Sequence, residues 1–232
     1  MPAKILFVLS SHDQLLNGTP TGWFLPEAAH PYYALEKDYE IVFASPKGSK
    51  APIDPASIDS YKEDEECVKF LADESTKKKV ENTLKLEDVS VQDYVAIFYV
   101  GGQAPCFDLP HDKTSHKLIQ DFWKADKVVS AVCHGPVAFS FVPDPVNPED
   151  KLVKGKKLTV FSNEEENGYR GPDVIPFLAE TALRDAGAKL VIEREAWGVE
   201  VVVDGKLVTG GNPASARATG EAVLKVLKEG KA

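Results

Sequence analysis

The sequence predicts an α/β protein with a doubly wound, mostly parallel β-sheet, helices on both faces and a C-terminal β-hairpin. Short runs rich in β-branched residues alternate with segments of helical periodicity, which is the pattern of parallel β-α-β units. Apolar runs such as VAIFYV lack the in–out alternation of a one-sided sheet, so helices should cover both faces. Asp204-Gly205, between two β-rich runs, indicates the hairpin.

The individual elements follow from the same periodicities. Parallel strands are predicted at residues 5–9, 41–44, 95–100, 128–132 and 158–161. Helices are predicted at residues 23–35, 75–84, 113–124, 173–186 and 214–228. Residues 46–73 are rich in Pro, Ser, Asp and Glu and show no clear period, so they are interpreted as a surface excursion.

Length and composition favour a single domain over residues 1–232. No apolar stretch is long enough to span a bilayer, so no membrane insertion is expected. The formal net charge of −9 argues against nucleic acid or an anionic membrane as a partner, because both require a cluster of Lys and Arg. The N-terminal MPAKILFVLS is interpreted as a first strand, not a signal peptide. We therefore expect a cytoplasmic location, with the nucleus as a further compartment.

Three cysteines are present, and their spacing fits neither a disulfide framework nor a C-x-x-C zinc site. Reduced thiols are therefore expected. Cys67 and Cys106 have no base beside them in the sequence and are interpreted as structural. The histidines show no metal-ligand spacing, and His30 is interpreted as a structural residue of the first helix.

The segment KVVSAVCHGPVAFS carries the chemistry of this chain. A buried strand ends at Cys133, and His134, Gly135 and Pro136 then open an expected helix, which is the sequence form of a nucleophile elbow. A helix N-terminus at this point would favour the thiolate and direct backbone N–H groups toward an oxyanion. The alternative is a buried structural cysteine.

Residues that follow other strands should converge on Cys133, since ligands of doubly wound sheets bind beyond the carboxyl ends of the strands. Gly102 could bring a backbone N–H to a reacting oxygen, or simply form a tight turn. One of the three glutamates at 164–166 could orient His134, although acidic loops are commonly just solvated. Glu27 could hydrogen-bond the thiol if burial kept it protonated, the alternative being a surface glutamate.

These motifs together resemble one family. They are the Cys-His-Gly-Pro elbow, the Gly101-Gly102 turn, TGWFLPE around Glu27, the Ser-Asn-x-Glu-Glu loop and TGGNPASA near the C-terminus. The combination resembles the DJ-1/PfpI superfamily from the first strand to the final helix. Within it, the chain is similar to the fungal Hsp31-like glutathione-independent glyoxalases, or glyoxalase III. The resemblance implies a flavodoxin-like, DJ-1-like fold.

The resemblance also implies a role for each matching residue. Cys133 would be the nucleophile, His134 the general acid/base and Glu166 the carboxylate that orients His134. Because three consecutive glutamates leave the register open, Glu165 is the alternative to Glu166. Glu27 would contact the thiol, and the backbone of Gly102 and His134 would supply oxyanion donors. Where some relatives have Gly-His-Gly after the third strand, this chain has Gly-Gly-Gln-Ala, so no histidine role is expected there.

The activity implied is the conversion of methylglyoxal, a 2-oxoaldehyde, to D-lactate in aldehyde detoxification and stress response, without glutathione or another cofactor. Relatives with a metal site use His and Glu ligands that have no recognisable counterpart here, so no metal is predicted. A homodimer is the expected assembly. The alternatives are an Hsp31-type holdase for unfolded client proteins, a cysteine-dependent peptidase or amidohydrolase, and a protein deglycase.

Overall fold

The strands lie in one large sheet and one small pair, in a computed structural model that describes residues 2–192 and 195–230. They are β1 (Lys4–Val8), β2 (Glu40–Ser45), β3 (Leu84–Lys85), β4 (Tyr94–Tyr99), β5 (Val128–Val132), β6 (Lys157–Leu158), β7 (Lys189–Leu190), β8 (Val201–Asp204) and β9 (Leu207–Gly210). Within these described ranges the main sheet has seven strands in the order β3-β2-β1-β4-β5-β9-β8. Its neighbours are parallel except for β8 and β9, which form the predicted antiparallel hairpin.

Helices cover both faces of this sheet. They are α1 (Leu25–Leu35), α2 (Pro55–Ser60), α3 (Glu65–Ala72), α4 (Glu74–Glu81), α5 (Pro105–Asp108), α6 (Lys113–Lys124), α7 (Asn163–Gly168), α8 (Ala179–Asp185) and α9 (Ala216–Glu229). Alternate residues of β1 enter two separate cores: Leu6 and Val8 lie in the core beneath α6, whereas Ile5 and Phe7 lie in the core beneath α1 and α9. The predicted α/β class and two-sided covering are thus confirmed.

The strand order of the sheet reverses between β1 and β4. The chain adds β2 and β3 on one side of β1 and then continues with β4 and β5 on the other. A crevice forms beyond the carboxyl ends of strands at such a point. The residues that follow β4 and β5, together with α1 after β1, therefore meet there.

The predicted strand at 158–161 is largely wrong. Only Lys157–Leu158 is a strand, and it pairs with β7 outside the main sheet. The place beside β5 is taken by β9 instead. The apolar run at 158–161 is nevertheless buried, because buried loop and buried strand have the same apolar composition.

Two other expectations differ from the structure. The predicted helix at 173–186 begins only at Ala179, because the residue before Pro176 takes the extended conformation that proline imposes on its predecessor. The excursion at 46–73 contains α2 and α3, each of only one or two turns, which is too short for a period to be visible. Asp54 and Asp64 cap these helices by accepting backbone N–H groups.

None of the helices in the described part of the chain is both long and apolar enough to cross a bilayer.

Candidate active site

Cys133 stands at the end of β5 in a backbone conformation that few residues other than glycine adopt. β5 is buried along its whole length, and Cys133 then takes a φ of 59° before the chain enters a 3₁₀ helix at Gly135–Phe139. Such a conformation costs about 1–3 kcal/mol and is typical of a strained nucleophile elbow. Gly135 allows the tight return, since a Cβ there would lie 2.4 Å from the carbonyl oxygen of Tyr99.

His134 lies between the thiol and a carboxylate. Its Nδ1 is 3.3 Å from the Sγ of Cys133, and its Nε2 is 2.5 Å from Oε2 of Glu166. The imidazole also packs against the ring of Phe161 at a centroid distance of 4.5 Å. All three polar side chains are buried. The arrangement has the order of contacts required for a thiol nucleophile, a base and a group that orients the base.

The three neighbouring glutamates, Glu164, Glu165 and Glu166, differ in exposure and in the groups that they contact. They lie on α7, not on a loop, and Glu164 is exposed. Glu165 completes a capping box with Ser162, so its carboxylate points back to the helix start. Glu166, one residue further, faces His134. The Ser-x-x-Glu spacing of a capping box was visible in the sequence and would have identified Glu165, and not Glu166, as the capping residue.

Gln103 is a site residue that the sequence analysis did not identify. Its Nε2 donates to Oε1 of Glu166 at 2.5 Å, and its Oε1 accepts from Arg170 at 3.2 Å. Arg170 in turn holds the buried carboxylate of Asp54 through two hydrogen bonds of 2.8 and 2.9 Å. This chain of contacts fixes which end of the Gln103 amide faces Glu166. The only sequence signal was the replacement of histidine by Gln103 after β4.

Glu27 is fully buried beside the thiol. Neither carboxyl oxygen has a partner that meets hydrogen-bond geometry, although the Cys133 thiol and the N–H groups of Gly101 and Gly102 lie next to the carboxyl group. Burial raises the pKa of Glu27 well above its ordinary value, which favours the neutral form of the carboxyl group. Gly101 makes this approach possible, because a Cβ there would lie 2.3 Å from Oε2 of Glu27.

The expected stabilisation of the Cys133 thiolate by a helix N-terminus is wrong for this structure. The segment after the elbow is a short 3₁₀ helix, and Cys133 is only 3% exposed. Burial raises the pKa of the Cys133 thiol well above its ordinary value, and the adjacent Glu27 raises it further. The backbone N–H of Gly102 opposes this shift in part. Burial therefore favours the protonated thiol over the thiolate at Cys133.

Gly102 lies beside the sulfur with a φ of +95°. A Cβ at this position would lie 2.6 Å from the carbonyl oxygen of Gly22, so a side chain is excluded both by the backbone conformation and by space. The same backbone conformation therefore forms the tight turn and directs the N–H of Gly102 toward the sulfur. The glycine lets the backbone reach the place where a reacting oxygen would sit.

The cavity that contains these groups is small and mostly apolar in its walls. Its volume is about 30 Å³, which is room for about two water-sized groups at roughly 10–15 Å³ each. Aromatic rings surround the polar residues; the lining residues are Phe24, Glu27, Asp54, Gly102, Gln103, Cys133, His134, Phe161, Tyr169, Trp197 and Pro213.

Other residues of the sequence analysis lie away from the thiol. Cys106 is buried in the core beneath α6. Cys67 does not line the cavity either, and although no base adjoins it in the sequence, α1 brings His30 within 3.9 Å of its sulfur. The packing of α1 against α3 creates this contact between residues distant in sequence.

Comparison with known proteins places the chain in a family. The DJ-1/PfpI family model matches residues 24–226. The chain belongs to the DJ-1/PfpI family. Glyoxalase 3 of Candida albicans is 32% identical over 230 residues, which cover 95% of this chain and 97% of the relative. The glutathione-independent glyoxalase hsp3101 of Schizosaccharomyces pombe is 33% identical over 236 residues, covering 96% and 95%.

A solved structure supports the same placement. Rapid Encystment Protein 24 kDa of Francisella tularensis superposes with a TM-score of 0.91 at 35% identity, covering 97% of this chain and 99% of that one. The elbow, the crevice and the hairpin therefore belong to a DJ-1/PfpI fold that extends over nearly the whole chain. The resemblance drawn from the motifs is confirmed.

Proposed function

We propose that this DJ-1/PfpI protein is a glutathione-independent glyoxalase that converts methylglyoxal to D-lactate. The observation that carries the proposal is the Cys133–His134–Glu166 contact series, closed in a cavity that also holds Glu27 and Gly102. Two relatives that are aligned over at least 95% of this chain are glutathione-independent or type 3 glyoxalases. The cavity of about 30 Å³ suits a small aldehyde better than a peptide.

In the first step, the sulfur of Cys133 attacks the aldehyde carbon while His134 Nδ1 takes the thiol proton. The charge that develops on the aldehyde oxygen is stabilised by the backbone N–H groups of Gly102 and His134. Return of the proton from His134 to that oxygen gives a neutral hemithioacetal. His134 is then again a free base.

The second step moves a proton between neighbouring carbons. His134 removes the proton from the former aldehyde carbon while Glu27 protonates the ketone oxygen, which gives an enediol. His134 then gives its proton to the adjacent carbon, and the hydroxyl of the former aldehyde carbon returns a proton to Glu27. Glu27 is neutral because of burial, so it serves as an acid toward the ketone oxygen and not as the base. The product is a lactoyl thioester of Cys133, and water hydrolyses it to D-lactate and the free thiol. The net reaction adds one water to methylglyoxal.

The test is D-lactate formation from methylglyoxal by purified protein without glutathione or added metal. Cys133→Ala removes the nucleophile, and we expect turnover to fall by at least about 10⁴-fold, because a positioned nucleophile and base contribute roughly 7–11 kcal/mol. Cys106→Ala is the matched control, since Cys106 is equally buried but lies outside the cavity. Near-native turnover by Cys133→Ala would show that another residue carries the reaction.

A further inference from the structure

A second group of cysteine, histidine and carboxylate lies outside the Cys133 cavity. His30 of α1, Asp64 at the start of α3 and Cys67 in its first turn bring one ligand atom each within 4.8 Å of one another. Nε2 of His30 is 3.1 Å from Oδ1 of Asp64 and 3.9 Å from Sγ of Cys67. None of the three lines the cavity around Cys133.

We propose that His30, Asp64 and Cys67 bind a zinc ion through Nε2, a carboxylate oxygen and Sγ, with the fourth coordination position left for water. Tetrahedral zinc has bonds of about 2.0–2.2 Å to N and O and about 2.3 Å to S, which places the ligand atoms about 3.4 Å (N to O) and about 3.6 Å (N to S) apart. The observed separations of 3.1 and 3.9 Å differ from these by only a few tenths of an ångström. The two separations from His30 are therefore close to those of zinc ligands, and the oxygen of Asp64 and the sulfur of Cys67 lie within 4.8 Å of each other.

The type of donor selects the metal. Thiolate and imidazole together favour zinc over magnesium or calcium, which prefer oxygen ligands. The sulfur of cysteine binds zinc as a thiolate, so the proton of Cys67 leaves when its sulfur binds the ion. One proton is released for each zinc bound through the thiolate.

The surroundings provide both support and access. Oδ1 of Asp64 accepts the backbone N–H of Cys67 at 2.9 Å, which fixes the carboxylate relative to the thiol. The side chains of His30 and Asp64 are 15% and 32% exposed, so an ion can enter from solvent on their side. The helix cap and the His30–Asp64 hydrogen bond explain the positions of His30 and Asp64. Neither explains why the Cys67 thiol lies against the same imidazole nitrogen.

A bound ion would join α1 to α3 close to the catalytic cavity. His30 lies one helical turn after Glu27 on α1. The ring of Tyr61 packs against His30 at 6.4 Å and against Phe24, a cavity residue, at 6.1 Å. The ion therefore fastens the helix that carries Glu27 without touching the reacting groups.

The test measures zinc binding by equilibrium dialysis of metal-stripped full-length protein, together with the thiolate-to-metal absorption band of the Co²⁺ form. We expect one zinc per chain and a thermal transition that rises with zinc concentration. Cys67→Ser and His30→Gln should each weaken binding by more than about 100-fold, since loss of an outer-shell partner alone costs roughly 10- to 100-fold. Cys67→Ser should also abolish the Co²⁺ band.

Two matched variants control for the other thiols. Cys106→Ser and Cys133→Ser should keep both the stoichiometry and the Co²⁺ band. Loss of the band in Cys133→Ser with retention in Cys67→Ser would place the ion at the catalytic thiol and overturn the proposal, as would the absence of zinc binding by the unaltered protein. If Cys67→Ser does not fold, the partly exposed His30→Gln variant decides the question. Because His30, Asp64 and Cys67 lie outside the Cys133 cavity, zinc binding at these three residues is measured independently of the proposed glyoxalase activity.

Discussion

The exchange of Glu166 for glutamine tests the proposed catalytic arrangement without removing any volume. In the unaltered site, Oε1 of Glu166 accepts from Gln103 and Oε2 faces Nε2 of His134. Arg170 donates to the Gln103 oxygen, so the Gln103 amide must turn its NH₂ group toward residue 166. In Glu166→Gln the new amide therefore directs its oxygen to Gln103 and its NH₂ group to His134.

That orientation reverses the tautomer of His134. Its Nε2 must now accept a hydrogen bond, so the ring proton moves to Nδ1, which faces the Cys133 thiol. A protonated Nδ1 cannot take the thiol proton. We expect kcat to fall by about 10²–10⁴-fold, the scale seen when a triad carboxylate becomes an amide. Stability should change by no more than about 1 kcal/mol, since both hydrogen bonds are kept.

Glu165→Gln is the matched control one residue away. Four groups of the described residues donate to the Glu165 carboxylate at 2.8 to 2.9 Å: Ser162 N and Oγ, Trp197 N and Asn212 Nδ2. A glutamine amide has a single acceptor oxygen, which can accept hydrogen bonds from only two of these donors. Loss of two charge-assisted bonds at about 1.5 kcal/mol each lowers stability by about 3 kcal/mol and Tm by roughly 6–12 °C.

The two variants are compared by steady-state D-lactate formation, thermal melting and imidazole ¹⁵N shifts, which report the His134 tautomer. We expect Glu166→Gln to lose kcat with an unchanged KM and an altered tautomer, and Glu165→Gln to lose stability. The reasoning is refuted if Glu166→Gln keeps more than about a third of kcat, a difference of less than about 0.7 kcal/mol, or if both variants show the same losses.

Two further substitutions test the groups beside the thiol. Burial raises the pKa of Glu27 in the folded protein above its value in the unfolded chain. Protonation of Glu27 therefore contributes fully to the stability of the fold below about pH 4.5, and this contribution is lost as pH rises toward the folded pKa. In urea denaturation, the stability of Glu27→Gln relative to the unaltered protein should therefore rise by up to about 1.4 kcal/mol per pH unit in that window. A stability difference between the two proteins that does not change with pH would contradict a raised pKa of Glu27. Gly102→Ala should lose both activity and stability, since its Cβ meets the Gly22 oxygen. Gly155→Ala, at a φ of +76° with open space around it, should cost only the roughly 1–2 kcal/mol of the backbone conformation, so equal losses in the two would exclude the contact with Gly22.

The burial of the Cys133 thiol and of Glu27 in a small cavity is compatible with the proposed chemistry. In the proposed mechanism the Cys133 thiol carries no charge at rest, and its proton passes to His134 only when an electrophile arrives. The neutral Glu27 avoids a second negative charge beside the developing oxyanion. The proposed preference for small aldehydes rests on the aromatic walls, which leave little room beyond the reacting atoms.

Strands β1, β2, β4 and β5, the elbow after β5 and the choice of Cys133 as candidate nucleophile were open to sequence analysis because each depends on residues close together in sequence. Consecutive apolar residues predict β4 and β5 whatever lies beside them, and helix α6 begins and ends where its period predicts. The Cys133-His134-Gly135 sequence implies the elbow because the sharp turn itself selects these residue types. The hairpin at Asp204-Gly205 is equally local.

Only the tertiary structure decided which groups meet. The choice of Glu166 over Glu165 depends on the direction of α7 toward His134, and the Gln103–Arg170–Asp54 contacts join three distant segments. The place of β9 beside β5, the high pKa of Cys133 and the contact of His30 with Cys67 are likewise long-range. The physical reason is that local sequence determines periodicity and turns, whereas burial, charge and ligand geometry depend on neighbours that folding brings from elsewhere in the chain.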